Sequence, residues 1–349
     1  MSFLSTRGQS INASFNSNTL GSLITTGGNI GIGTTSPNYI LDVNGNVNFS
    51  GNLYQSGSLM QTSFKNRIIN GAMMIDQRNT GGSKTITAGA AAVYTIDRWY
   101  VSCSGANVTT QRVTGSNGNM NAFRITGAAS NTGTVFGQAI ESVNSYDLVN
   151  QSVTVGLRVS STSITSLTWR AYYANTTDTF SSKTQISTGT LTINSTDAAY
   201  SFTFNAGSSA ANGISVEFST GALLAAQTIT YQQIQLEFGT QATAFERRSY
   251  SLELMLCYRY YTYVNLLDGF YDTNYWKIFP HNGITVPMRV TPTLDRTAYI
   301  KSPSNGNDLG TPSINGISNL PSVLYVSSTS NPAGGNWVEL YGFGWVAEL

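Results

Sequence analysis

The stretch Thr228-Ile-Thr-Tyr-Gln-Gln-Ile-Gln-Leu-Glu-Phe238 decides how the chain is read. Ile229 and Tyr231 occupy odd positions, whereas Ile234, Leu236 and Phe238 occupy even ones. Each half alternates with the two-residue period of a half-buried strand, and the phase slips at Gln232-Gln233. One extra residue there, a β-bulge, keeps both halves facing the same core. The same period recurs upstream: Val153, Val155, Leu157 and Val159; Leu167, Trp169, Ala171 and Tyr173; Tyr200, Phe202 and Phe204; Ile214, Val216 and Phe218. Short alternating strands punctuated by turns predict a β-sandwich of jelly-roll type.

Composition narrows the reading further. The chain has 349 residues, of which only 10% are charged, and a formal net charge of +1. Without a basic surplus it lacks the electrostatic footprint of a nucleic-acid binder. Hydrophobic residues at 40% and aromatics at 11% argue against disorder. Membrane insertion is not expected, because no apolar run approaches the length of a span. Cys103 and Cys257 lie far apart and read as two separate buried thiols. With His281 the single histidine, a histidine-based metal centre or a Ser-His-Asp machine has too few parts.

The first 60 residues read as short strands (Ile30 to Ile32, Tyr39 to Val43, Val47 to Phe49, Leu53-Tyr54) between Gly-Asn turns, of which Asn44-Gly45 is the clearest. None is long enough to bury a core alone, so pairing with copies of the chain is expected. Ser249 to Tyr261 predicts the one good helix, capped by Ser249 or Ser251, with Glu253 in its first turn where the dipole favours an acid. Leu252, Leu254, Met255, Leu256, Cys257, Tyr258, Tyr260 and Tyr261 leave almost no polar face, which predicts burial on several sides. From Val264 onward β signals return.

Three stretches resemble viral fibre and tail proteins. Gly28-Asn-Ile-Gly-Ile-Gly-Thr-Thr-Ser-Pro37, continuing through Leu41-Asp-Val-Asn-Gly-Asn46, is similar to a repeat of fibre shafts. Asn66-Arg-Ile-Ile-Asn-Gly71, Ile75-Asp-Gln-Arg78 and Tyr94-Thr-Ile-Asp-Arg-Trp99 resemble the opening of a jelly-roll, carbohydrate-binding-like module of phage tail proteins. Gln235-Leu-Glu-Phe-Gly239, Ala244-Phe-Glu-Arg247 and Glu253-Leu-Met-Leu-Cys-Tyr-Arg-Tyr-Tyr261 resemble its last strand and the helix that follows. The chain departs from the pattern at Asp76, where a Trp is more usual, and at Tyr258, where a Gln is. The resemblance implies a homotrimeric virion appendage in contact with other virion structural proteins, and it does not fix a ligand.

No motif assigns chemistry. Gly28, Gly31 and Gly33 imitate a nucleotide loop, but Pro37 and another strand follow where a helix is required. No spaced Asp motif of a Ca²⁺ loop occurs, and no cofactor or metal is expected. No carboxylate pair is visible in the pattern, so no catalytic residue is assigned and the chain is not expected to be an enzyme. Asp97-Arg98-Trp99 and Arg78 read as structural, with guanidinium groups stacked on aromatics or paired to carboxylates, and Glu237 with Arg247 likewise. Tyr271, Asn274, Tyr275 and Trp276, in an expected loop after Gly269, are the candidate ligand-binding residues. Sugars present apolar C–H faces to aromatic rings and hydroxyls to amides.

The expected organisation is an all-β chain: an attachment or trimeric shaft segment at 1–62, a jelly-roll sandwich at 63–247, and a helix-plus-β domain at 248–349. The expected function is attachment of a virion to a host-surface glycan through many weak sites. The alternatives are a structural virion component without a receptor and, last, a fibre-borne polysaccharide depolymerase.

Overall fold

In a computed structural model of the chain, the alternating segments pair into two six-stranded antiparallel sheets packed face to face. The structure describes residues 29–32, 34, 36, 38–45, 47, 54–55, 58–59, 64–272, 275–279, 288–290, 293–294, 299–301, 313–314, 324–327 and 337–348. The chain divides into two compact units, 1–53 and 54–349. In the first, β1 (Ile30–Ile32) pairs in parallel with β2 (Leu41–Val43). Ile32, Tyr39, Ile40 and Leu41 remain more than half exposed there.

The second unit begins with a small hairpin, β3 (Tyr54–Gln55) and β4 (Ser58–Leu59). The sandwich strands follow: β5 (Lys84–Ile86), β6 (Val93–Ile96), β7 (Trp99–Ser104), β8 (Val108–Thr114), β9 (Asn121–Thr126) and β10 (Gly133–Ile140). Then come β11 (Ser152–Ser161), β12 (Ser166–Thr176), β13 (Thr179–Thr192), β14 (Ala198–Asn205), β15 (Ile214–Thr220) and β16 (Thr228–Phe238). One sheet has the order β13-β12-β15-β10-β7-β6 and the other β14-β11-β16-β9-β8-β5. From β10 onward the chain crosses repeatedly between the two sheets, as in a jelly roll.

Between the sheets Phe136 stacks on Trp99, Phe123 and Tyr231 with ring centroids 4.5, 5.0 and 4.6 Å apart. Trp169 stacks on Phe202 at 4.0 Å. Tyr231, Trp169 and Phe202 come from the inward positions of the alternating segments, with Val153, Val155, Val216 and Phe218 fully buried beside them, while Trp99, Phe123 and Phe136 come from β7, β9 and β10. Each large side chain removed from water contributes about 1.5–3 kcal/mol.

The phase slip in β16 is a bulge. Gly156 and Arg158 of β11 face Gln235 and Gln232, so β16 spends three steps where its partner spends two. Gln233 takes a φ of 50°, and Tyr231, Ile234 and Leu236 are all fully buried. The loop after Asn66 lies against the bulge: Ile234 N–H donates to the Gly71 carbonyl at 3.0 Å. A Cβ at Gly71 would fall 2.1 Å from the Ile234 carbonyl oxygen, so only glycine fits.

The outer side of the second sheet is strapped by the segment after β16. Glu237 accepts hydrogen bonds from the Thr243 amide (2.8 Å) and hydroxyl (2.6 Å), and Gln235 accepts from the Glu246 amide (2.8 Å). Glu246 in turn accepts from the amides of Phe64 and Asn66. Glu237 therefore does not pair with Arg247, whose guanidinium donates instead to Asn119.

The strap leads into α1 (Tyr250–Tyr258), whose first turn is capped by Ser249 accepting from Leu252 N–H at 3.4 Å. The helix ends three residues short of the expected Tyr261, because Tyr261 opens β17 (Tyr261–Asp272). The β-forming run Tyr261-Thr-Tyr-Val264 outweighs helix continuation once a partner strand is available. Burial also differs from expectation within the single chain. Glu253 and Cys257 face inward, while Met255 is 52% and Tyr250 58% exposed. The inward carboxylate is explained by its bonds to Asn70 N–H and the Arg248 guanidinium.

The remaining strands are β18 (Tyr275–Phe279), β19 (Thr293–Leu294), β20 (Tyr299–Lys301), β21 (Ser313–Ile314), β22 (Leu324–Ser327) and β23 (Trp337–Val346). They form one sheet with β17.

Candidate functional site

In a sandwich, one face of each sheet is spent on the core and the other is free to meet a ligand. The outer face of the β13-to-β6 sheet has an unusual surface for such a chain. Tyr100 alternates outward between buried Trp99 and Val101, and Tyr172 does so after buried Ala171. With Glu217 and Lys183 these residues form a connected group. Tyr100 donates its hydroxyl hydrogen to Glu217 Oε1 at 2.9 Å, and Lys183 pairs with the same oxygen. The Lys183 ammonium sits 4.5 Å from the centre of the Tyr172 ring. Burial, and then the Glu217 charge, push the Tyr100 phenol well above its ordinary pKa, and Tyr172 is raised for the same reasons. Both stay neutral hydroxyls at physiological pH.

Gly137 makes the arrangement sterically feasible. A Cβ there would lie 2.7 Å from the Tyr100 oxygen and 2.9 Å from Glu217 Cγ. The result is a cleft of about 520 Å³, lined among others by Tyr94, Tyr100, Phe180, Lys183, Glu217 and Arg289. Asp178 also lines it, with its carboxylate oxygens accepting from the Ser142 amide (2.7 Å) and hydroxyl (3.0 Å). Aromatic faces beside hydroxyls and satisfied charges suit a ligand with both apolar and hydroxylated surfaces.

One end of the cleft abuts the junction with the C-terminal sheet. Arg289 donates to the carbonyls of Ala347 (3.1 Å) and Glu348 (2.9 Å). The Glu348 carboxylate receives both Arg78 and Arg98, while Glu141 receives Arg259 and the Tyr260 hydroxyl, each at 2.9 Å. Arg78 lies 3.8 Å from the Tyr261 ring centre. Asp97 is fully buried and accepts from the Gln77 amide at 2.6 Å; burial raises its pKa to about 7. The structural reading of Asp97, Arg98, Trp99 and Arg78 is therefore borne out, and Cys103 and Cys257 are two separate buried thiols.

The sequence-predicted site lies elsewhere. Tyr271, Tyr275 and Trp276 stand on the β17–β18 hairpin, with Tyr271 directly opposite Trp276 and Asp272 opposite Tyr275. They belong to strands, not to the expected loop, and Gly269 lies within β17. Asn274 and His281 lie outside the described residues. Sequence reasoning passed over Tyr100, Lys183 and Glu217. The available signal was Tyr100 itself: an aromatic residue at the outward position of a strand whose inward positions were already apolar.

No protein-family profile and no curated protein matches the sequence. Among solved structures, similar folds include the enzymatically active domain of tailspike protein 4 of bacteriophage CBA120, at 12% identity and a TM-score of 0.35. That match covers 50% of this chain and 21% of the tailspike chain, so this protein aligns with about a fifth of its length. A CBM4 structure matches at 15% identity, 48% and 97% coverage and a TM-score of 0.31. The family 11 carbohydrate-binding module of Clostridium thermocellum, in complex with a β-1,3-1,4-mixed-linked tetrasaccharide, matches at 13% identity, 46% and 98% coverage and a TM-score of 0.30.

Proposed function

We propose that the protein is a glycan-binding appendage of a virion that attaches the particle to a host-surface polysaccharide. The observation that carries this reading is the outer-face cleft, where Tyr94 and Tyr100 lie beside Lys183 and Glu217, with the Tyr172 ring against the Lys183 ammonium. Sugar rings stack on such a floor and exchange hydroxyl hydrogen bonds with its polar groups. One shallow cleft of this kind binds weakly, in roughly the millimolar to high-micromolar range. Copies in a homotrimer, and many appendages per particle, raise the effective affinity. The exposed Ile32, Tyr39, Ile40 and Leu41 of the first unit support assembly with further copies, since such side chains gain by burial.

The reading is one of binding without cleavage. Hydrolysis needs two carboxyl groups facing each other across the scissile bond, one as acid and one as base or nucleophile. In the cleft, Glu217 is engaged by Tyr100 and Lys183, and Asp178 by Ser142. The free protein on a glycan array, together with a reducing-end assay on whatever polysaccharide it binds, tests this. Binding without release of reducing ends is expected. Release of reducing ends revives the depolymerase reading, and absence of binding favours a purely structural virion component.

A further inference from the structure

The cleft is bordered by a second cavity with a different chemical character. It holds about 460 Å³ and is lined mainly by polar groups, among them Gln77, Asn79, Thr80, Lys84 and Tyr263. Tyr94 lines both cavities. Its strand, β6, is the edge of the sheet, so a chain lying across the strands leaves the sheet over Tyr94 and enters the second cavity. The first cleft draws its lining from β13 (Lys183), β15 (Glu217), β10 (Val135), β7 (Tyr100) and β6 (Tyr94), so it runs across the sheet. The Lys183 ammonium lies 6.0 Å from the Tyr100 ring centre, and that ring lies 5.7 Å from the ring of Tyr94, so the cleft floor is short and ends at the sheet edge.

The charge balance changes along that path. In the first cleft Lys183 is matched by Glu217. The second cavity is lined by the cations Arg78 and Lys84 and by no carboxylate among the described residues. The neighbouring acids are already engaged. Asp76 accepts the amides of Asn79 (3.1 Å) and Gly81 (2.7 Å), and Glu348 receives Arg78 and Arg98. Lys84 is exposed and makes no ion pair among the described residues.

Building on the glycan reading above, we propose that the ligand is an acidic polysaccharide. Its uncharged ring faces lie over Tyr100 and Tyr94, and an anionic substituent, carboxylate or phosphate, is received in the second cavity by the Lys84 ammonium. Tyr263 of β17 brings the C-terminal sheet into the same site. Selection for the acid comes from this end of the groove, and adhesion comes from the sheet.

The test uses the full chain on an array holding oligogalacturonate, the same oligomer methyl-esterified, other uronate glycans with their neutral counterparts, and a glycerol-phosphate polymer. A single charge-assisted contact favours the acidic member of a pair by roughly tenfold, and this preference shrinks as salt rises. Lys84→Gln brings the acid-to-neutral ratio toward one, and Lys84→Glu inverts it. Carboxylate and phosphate arms identify which anion is read. Equal affinity for acidic and neutral members, with the ratio unmoved in both Lys84 variants, overturns this proposal and leaves the cleft reading standing. Full binding by Tyr100→Ala, or no binding to any array member, overturns the cleft reading and this one with it.

Discussion

The Arg98 guanidinium carbon lies 3.5 Å from the centre of the Tyr260 ring. The two residues are 162 positions apart, and the stack joins the first part of the sandwich to the end of α1. The same guanidinium pairs with Glu348, just beyond β23. A fully buried arginine thus fastens helix, sandwich and C-terminal sheet together at one point.

Replacing Arg98 with Met keeps the bulk but leaves Glu348 with Arg78 alone. Leaving a buried charge wholly unpaired costs about 3–5 kcal/mol, and because Arg78 still holds Glu348 the loss is smaller than that. Denaturant unfolding of Arg98→Met is expected to show that loss, and an unchanged midpoint would place the junction outside the cooperative unit.

Asp97 sets a pH dependence of definite sign. Its folded pKa, about 7, lies above the ordinary value of 3.8, so the folded state binds the proton more tightly than the unfolded chain. Its contribution to stability is therefore complete below about pH 4 and is lost as pH rises toward 7. Burial raises Asp76 and Glu253 as well, so they act in the same direction. The melting temperature of Asp97→Asn is expected to fall less than wild type over this window, and parallel profiles would contradict the assignment.

Gly137 is the packing partner of the cleft. Gly137→Ala forces Tyr100 or Glu217 to move, an overpacking cost of about 1–3 kcal/mol. The expected signature is weaker glycan binding in a protein that still unfolds cooperatively. Binding equal to wild type would show that the Tyr100–Glu217 geometry is not what the ligand reads.

The half-exposed side of α1 gives a test of assembly. Leu252 and Leu256 are only partly buried in the single chain. If copies cover them, Leu256→Asp releases monomers in sedimentation while the sandwich melts nearly as before. A stable wild-type monomer at micromolar concentration contradicts the proposed homotrimer outright.

What the sequence disclosed follows from where its signals are local. Alternation exposed the inward faces of β11, β12, β14, β15 and β16, and a change of phase exposed the bulge at Gln233. These depend only on the two-residue period of a strand. The site was harder to read because its members, Tyr94, Tyr100, Lys183 and Glu217, come from four strands, and only pairing order brings them together. Glu253 stands in the first turn of the helix as expected, but its inward turn onto the Asn70 amide depends on a loop 183 residues away, which no local pattern discloses. The aromatic run near Trp276 offered composition without placement, and the β-forming residues after Tyr260 carried it into strands.

The proposed ligand lies on the outer face of the β13-to-β6 sheet. The most direct measurement compares glycan binding and thermal melting of Tyr100→Ala and Trp276→Ala side by side with the full wild-type chain. Tyr100→Ala is expected to lose at least about tenfold in affinity, close to 1.4 kcal/mol, while melting cooperatively, and Trp276→Ala is expected to retain binding. Wild-type binding by Tyr100→Ala, with loss confined to a well-folded Trp276→Ala, would contradict this placement and move the site to the β17–β18 hairpin.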